Sequence, residues 1–251
     1  MKLKLSTTRV TKTPCVMKLL LTVYLLFSTI CFSQKIYEFD YLIEYEQTFY
    51  KDSLKIPNHK FREKEEKRKI YYLTNSKKNN YNAFITELDS LNYQMFFKDE
   101  KGISANVKVL KSELFKAEFI DIDCNSVSHH FHFRYQTKNY DFFQLNDTLI
   151  NGKSYARYKL ASIKPKRVKK KKIGTKFYII AKETSFHLPI LDFYTAYQQW
   201  KTNKNIPNGI FYEKYFIEYN GKLSTKVTLI NYWKTDQKIV IDEACDYTKK
   251  R

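Results

Sequence analysis

Residues 36–50 alternate with hardly a break. Tyr37, Phe39, Tyr41, Ile43, Tyr45 and Phe49 share one parity, and Glu38, Asp40, Glu44, Glu46 and Thr48 share the other. A period of two belongs to a half-buried β-strand, because successive side chains of a strand point to opposite faces. The pattern recurs down the chain in Tyr93, Met95 and Phe97, in Ile103, Ala105, Val107 and Val109, and in Phe115, Ala117 and Phe119. Other short alternating or apolar segments lie at 70–73, 81–88, 130–135, 140–145, 155–163, 176–182, 210–219 and 223–233, and Ile239 and Ile241 mark a last one. Asn151-Gly152, Asn208-Gly209 and Asn220-Gly221 are turn signals between such segments. Strands joined by short turns pair antiparallel, since parallel neighbours need long crossovers.

Two stretches break the alternation. Residues 60–69, KFREKEEKRK, mix charges without an apolar stripe and are expected as a solvated loop or short helix. Ile190, Phe193, Tyr194, Tyr197 and Trp200 fall at helical spacing, after Pro189 and ahead of Asn203 and Pro207, which predicts a helix. Only 5 Gly and 5 Pro occur in 251 residues, so no linker-rich stretch divides the chain. The expected fold is mainly β, a single large curved antiparallel sheet (a meander or half-barrel) with one or two packed helices. One domain over 34–251 would hold it.

Residues 1–33 read as a secretory signal. Lys18 supplies the positive start, 19–30 the apolar run, and Cys31-Phe32-Ser33 a small-residue edge, with cleavage expected after Ser33. The run falls short of the roughly 20 residues a membrane span needs. Three alternatives stay open: a retained anchor, a true start at Met17, and a lipid on Cys31, where the bulky Ile30 departs from the usual small residue. The address is secreted or periplasmic, and nucleic acid is not expected as a partner.

The formal charge of +19 is concentrated rather than spread. Lys2, Lys4, Arg9, Lys12 and Lys18 belong to the leader. Lys164, Lys166, Arg167, Lys169, Lys170, Lys171, Lys172 and Lys176 follow one another without an acid. Lys166, Arg167, Lys169, Lys170, Lys171 and Lys172 are therefore candidate anion-binding residues, for an acidic envelope polymer or a lipid surface. The plainer reading is an exposed loop or hairpin tip kept soluble by its charge.

With Cys15 and Cys31 in the leader, Cys124 and Cys245 remain. In an oxidising compartment they are a candidate disulfide, which would stabilise by about 4–5 kcal/mol through chain entropy. The other reading is two unpaired thiols.

Catalytic signals are sparse. No Gly-x-Ser-x-Gly elbow and no phosphate-cradling glycine loop is present. His130 and His132 share one strand face and are candidate metal ligands for a metal-dependent hydrolase, with Asp121, Asp123 and Cys124 nearby in sequence. The plainer reading is a polar strand face. No cofactor is called for, and the chain reads as a binding protein rather than an enzyme. Tyr41, Tyr45, Phe193, Tyr197 and Trp200 are the candidate ligand-binding residues, because a helix over an aromatic sheet face can leave a pocket for an apolar ligand.

The leader, the long first strand FDYLIEYE, the meander, Leu188-Pro189 and Ile206-Pro207-Asn208-Gly209 together resemble the lipoprotein-carrier-like (LolA/LolB-like) proteins of Gram-negative envelopes. The chain also resembles the secreted proteins named for a Gly-Leu-Pro-Gly-Leu-Ile motif, a string it lacks. The resemblance implies a curved antiparallel sheet whose concave side binds lipid and is plugged by helices. It also implies a periplasmic or outer-membrane setting, with a lipid or lipoprotein as partner and peripheral membrane contact.

Overall fold

The computed structural model describes residues 34–50, 65–129 and 134–246, and the architecture below is that of the unit beginning at Lys35. The leader, His130 and His132 lie outside the described residues.

Eleven strands form one antiparallel sheet that is not closed into a barrel. Its first half is β2 (Tyr41–Tyr50), β3 (Glu65–Thr74), β4 (Tyr81–Glu87), β5 (Asn92–Asp99), β6 (Ile103–Leu110) and β8 (Val127–His129). Its second half is β9 (Tyr140–Ile150), β10 (Lys153–Ser162), β11 (Thr175–Ile180), β12 (Phe211–Ile217) and β13 (Leu223–Lys234). The order is β8-β6-β5-β4-β3-β2-β13-β12-β11-β10-β9, and the β2–β13 pair, with Tyr45 opposite Leu229, joins the halves. Asn151 and Gly152, at φ 50° and 78°, make the tight turn between β9 and β10. Two consecutive positive φ values are what a two-residue hairpin loop of matching twist requires.

A second, three-stranded sheet runs β1-β14-β7, from β1 (Gln34–Glu38), β14 (Lys238–Asp242) and β7 (Phe119–Ile122). Ile239 and Ile241 therefore belong to this layer, where β14 pairs parallel with β7. The long alternating stretch 36–50 is two strands, not one. At the junction the Phe39 N–H donates to the Gln237 carbonyl and the Asp40 N–H to the Thr74 carbonyl, so the chain passes from the small sheet to the large one. Parity survives the crossing, but the layer does not.

The large sheet buries one face over its first half and the other over β2, β3 and its second half. On one face Leu42, Tyr71, Leu73, Ile85, Met95, Phe97 and Ile103 meet Tyr37, Phe39, Ile120, Ile122, Ile239 and Ile241 of the small-sheet layer. On the other, Ile43, Tyr45, Ile70, Tyr72, Tyr178, Ile180 and Phe211 meet Ile190, Leu191, Ala196, Tyr197 and Trp200. Neighbours in β3 alternate between the two cores, Ile70 and Tyr72 in one, Tyr71 and Leu73 in the other, as a strand covered on both sides must. Each such buried side chain contributes about 1.5–3 kcal/mol.

Three expectations change. Residues 65–69 are strand rather than loop or helix, because Lys67 pairs with Glu46 at 3.0 Å, Lys69 with Glu44 at 2.9 Å, and Arg68 with Gln47 on β2, so mixed charge is satisfied across strands. Phe115 follows a single helical turn, α1 (Lys111–Leu114), and only Phe119 of its alternating set reaches a strand. The run 164–172 is not a loop. It forms a short helix, α2 (Pro165–Lys171), started by Pro at its first position and ended by Lys172 in the left-handed region.

Candidate functional site

The helix over the second core is α3 (Tyr194–Asn203). It begins four residues later than Ile190, because the preceding segment 188–193 is held extended by the β3–β4 turn. Leu188 N–H donates to the Ser76 carbonyl at 2.9 Å, and the Asn79 amide donates to the Pro189 carbonyl at 3.0 Å. His187, fully buried, meets the Thr74 hydroxyl through Nε2 at 3.0 Å. The helix reaches across this face from the end of β5 to the start of β9. Tyr197 donates to Glu100 beyond β5 at 2.7 Å, while Gln199 donates to the Thr137 carbonyl ahead of β9 at 2.7 Å.

The extended segment carries Asp192, and three lysines converge on it. Lys176 Nζ lies 2.9 Å from Oδ1, Lys214 Nζ lies 3.1 Å from Oδ2, and Lys98 donates to the Asp192 main-chain carbonyl. The Tyr72 hydroxyl donates to Oδ2 at 3.1 Å. Lys98 is on β5 and Lys176 on β11, six steps apart in the strand order. In a flat sheet that separation would be about 29 Å, at the usual ~4.8 Å per strand. One residue reaches both, so this face of the sheet is strongly concave and the lysines stand on facing walls.

Strand register sets which side chains look inward. Asn82 pairs with Lys98 and Phe84 with Phe96 across β4 and β5, and Tyr178 pairs with Lys214 across β11 and β12. In β12 the register shifts, with Ile179 opposite Glu213 but Ile180 opposite Phe211, which leaves Tyr212 as an extra residue. That bulge puts Phe211 and Lys214 on the same face, a re-aiming that bulges near sites commonly perform.

The cavity around this cluster measures about 370 Å³ and is lined by Tyr72, Phe84, Phe96, Phe193, Phe216 and Val227 together with Asn82, Asp192 and the three lysines. Lys214 is 2% exposed, whereas Lys176 and Asp192 keep 25% and 23%, so the last two open onto the cavity. Burial pushes the Lys214 ammonium down to about 8, against the pull of Asp192, and lowers Lys98 for the same reason. Burial also acts on Lys176, but the Asp192 charge outweighs it and raises that lysine. Burial opposes ionisation of Asp192 too, yet Lys176, Lys214 and Lys98 together hold its carboxyl well below the usual carboxylate range. Lys214 also lies 4.6 Å from the centre of the Tyr72 ring, a cation–π contact. A second hollow, of about 470 Å³ on the other face beside Leu42, Tyr71 and Trp233, has no comparable convergence of charge among the described residues.

Of the residues singled out in the sequence, Phe193 lines the cavity. Tyr45 is fully buried beneath it, with its ring 5.6 Å from Lys214. Tyr197 and Trp200 pack in the core under α3, and Tyr41 sits apart, against Phe186, His187 and Tyr232. Lys166, Arg167, Lys169, Lys170, Lys171 and Lys172 form α2 and its cap, on a solvent-facing connection between β10 and β11. Lys176, which the sequence joins to that run, points into the cavity instead. Cys124 and Cys245 form a disulfide, with Cα atoms 5.0 Å apart. Among the described residues no group of three or more His, Cys, Asp or Glu side chains is placed to hold a metal ion, and no helix is long and apolar enough to cross a membrane.

Sequence reasoning passed over Lys98, Lys214, Asp192 and Tyr72. A signal was present: Lys176 shares parity with Tyr178 and Ile180, and Asp192 interrupts the apolar run from Ile190 to Tyr194. A charge on an otherwise buried parity is costly unless it meets a partner.

No family model matches the chain, and no curated protein sequence matches it. Among solved structures it is similar to an uncharacterized conserved protein from Thermus thermophilus (TM-score 0.38, 7% identity, covering 86% of this chain and 88% of that one). It is similar also to a chain of the Pseudomonas aeruginosa MucA/MucB complex (TM-score 0.37, 5% identity, 79% and 52%). A LolA superfamily protein from Nitrosomonas europaea is a third (TM-score 0.29, 11% identity, 78% and 86%). The chain spans about half the length of the MucB structure it matches, 54%.

Proposed function

We propose that this chain is a non-catalytic binding protein of the cell envelope, secreted or periplasmic, that holds an apolar or lipid-like ligand on the concave face of its large sheet. The observation that carries this reading is the cavity of about 370 Å³ on that face, beside the segment that leads into α3 and walled by Tyr72, Phe84, Phe96, Phe193, Phe216 and Val227. Its size falls in the range of small-molecule sites, and its lining sets aromatic rings beside convergent polar and charged groups. An apolar ligand would remove these rings from water at about 25 cal/mol per Å².

The test is titration with the neutral probe N-phenyl-1-naphthylamine. Fluorescence should rise saturably on the wild-type protein. Thr225→Trp, which fills the cavity from β13, should weaken that binding about tenfold or more while the protein stays folded. Absence of saturable binding would refute the reading.

A further inference from the structure

We propose that Lys98, Lys176 and Lys214 form an anion seat, which takes a carboxylate or phosphate group of the molecule held in the cavity. The tail of that molecule rests on the apolar-ligand reading above; the seat itself does not.

The charge balance is the first ground. Three ammonium groups converge on one acidic residue, Lys176 and Lys214 on its carboxylate and Lys98 on its main-chain carbonyl, and among the described residues no other Asp or Glu lines the cavity. Two positive charges therefore remain uncompensated in a site where one of the lysines is 2% exposed. Buried charge is tolerated when paired, and net charge without a partner is costly. Burial is the main cause of the lowered proton affinity of Lys214, and the like charges of Lys176 and Lys98 add to it. An incoming anion supplies the missing negative charge.

Geometry is the second ground. The lysines come from both walls, Lys98 from β5 and Lys176 and Lys214 from β11 and β12, so an anion between them would be gripped from opposite sides. Each ammonium has three donors, and Lys98 spends one on the Asp192 carbonyl. Asn82, 6% exposed and lining the same cavity beside Lys98, keeps a buried Oδ1 without a hydrogen-bond partner. That acceptor suits a hydroxyl next to the acidic group. Asp192 acts as the resident counter-ion, which holds the lysines in place and shares them when the anion arrives. Charge-assisted hydrogen bonds of this kind are about twice as strong as neutral ones.

Calorimetric titrations of the full chain at pH 7 with dodecanoate, dodecan-1-ol and inorganic phosphate, each alone, test the proposal. Dodecanoate should bind at least about tenfold tighter than dodecan-1-ol. Lys98→Gln, which leaves the Lys176, Lys214 and Tyr72 contacts to the Asp192 carboxylate intact, should abolish that preference, and Lys176→Gln should abolish it too. Equal binding of acid and alcohol, unchanged in both variants, overturns the anion seat and leaves the apolar cavity standing. Binding of phosphate alone, lost in Lys98→Gln, with neither amphiphile bound, supports the seat for a free anion and overturns the apolar reading. Binding of none of the three overturns both.

Discussion

Lys214 Nζ stands 3.1 Å from Asp192 Oδ2 and 4.6 Å from the centre of the Tyr72 ring, so a nearly inaccessible ammonium is held between one carboxylate and one aromatic face. The Tyr72 hydroxyl in turn donates to the same Oδ2. A carboxylate, an ammonium and a phenol thus form one closed set at the floor of the cavity, and each member depends on the other two.

Asp192→Asn removes the negative charge while keeping the size of the side chain. The lysines then repel one another without a counter-ion, and breaking a buried pair from one side typically costs about 3–5 kcal/mol. The urea midpoint should fall accordingly. An unchanged midpoint would show that the carboxylate does not hold the cluster.

Stability should rise with pH in the alkaline range. Burial lowers Lys214 to about 8 and lowers Lys98 too, whereas both keep ordinary values once unfolded. Above about pH 8 the unfolded chain binds protons that the folded chain has released, and this difference raises the unfolding free energy. Of the other groups facing the cluster, Lys176, raised by Asp192, acts oppositely but only above the ordinary lysine range. Tyr45, Tyr72 and Tyr178 are pushed upward and stay neutral in the folded chain but begin to ionise near pH 10 once unfolded, which offsets part of the gain toward pH 9.5, while Asp192 stays ionised. Urea unfolding at pH 7 and pH 9.5 should show the gain in wild type and a smaller gain in Lys214→Met.

The Cys124–Cys245 bond spans 121 residues and ties the turn after β7 to the segment after β14. Its reduction, or Cys124→Ser with Cys245→Ser, should cost about 4–5 kcal/mol on a chain-entropy basis. Denaturant curves with and without reductant measure it. The probe affinity of the folded protein should not change, since the bond belongs to the core on the opposite face.

Leu73→Ala separates the two cores. Leu73 is fully buried against the small-sheet layer, and its truncation should cost about 2–5 kcal/mol. N-phenyl-1-naphthylamine binding by the folded variant should match wild type. A parallel loss of probe binding would mean that the cavity depends on packing across the sheet.

The strands were legible where alternation and turn residues agreed, as from Asn151-Gly152 into β10 or from Asn220-Gly221 into β13. The two-layer arrangement was not, because Tyr37 and Tyr45 share a parity but lie in different cores, and only the hydrogen bonds at Phe39 and Asp40 divide them. The site was less legible still. Lys98, Lys176, Lys214 and Asp192 meet through curvature and through pairing of distant strands, neither of which local period reports. Lys176 was masked further by the exposed lysines just before it in the chain. Phe193 was visible because it directly precedes α3 and continues its helical spacing.

The extra residue at Tyr212 sets the phase of β12. A deletion there would shift the strand by one, so that either Lys214 would turn away from the cavity or Phe211 would leave the core. The cavity's chemistry is therefore written as spacing as well as residue type. Two relatives of this chain could keep every lysine and still differ in what they bind if one lacks that single insertion.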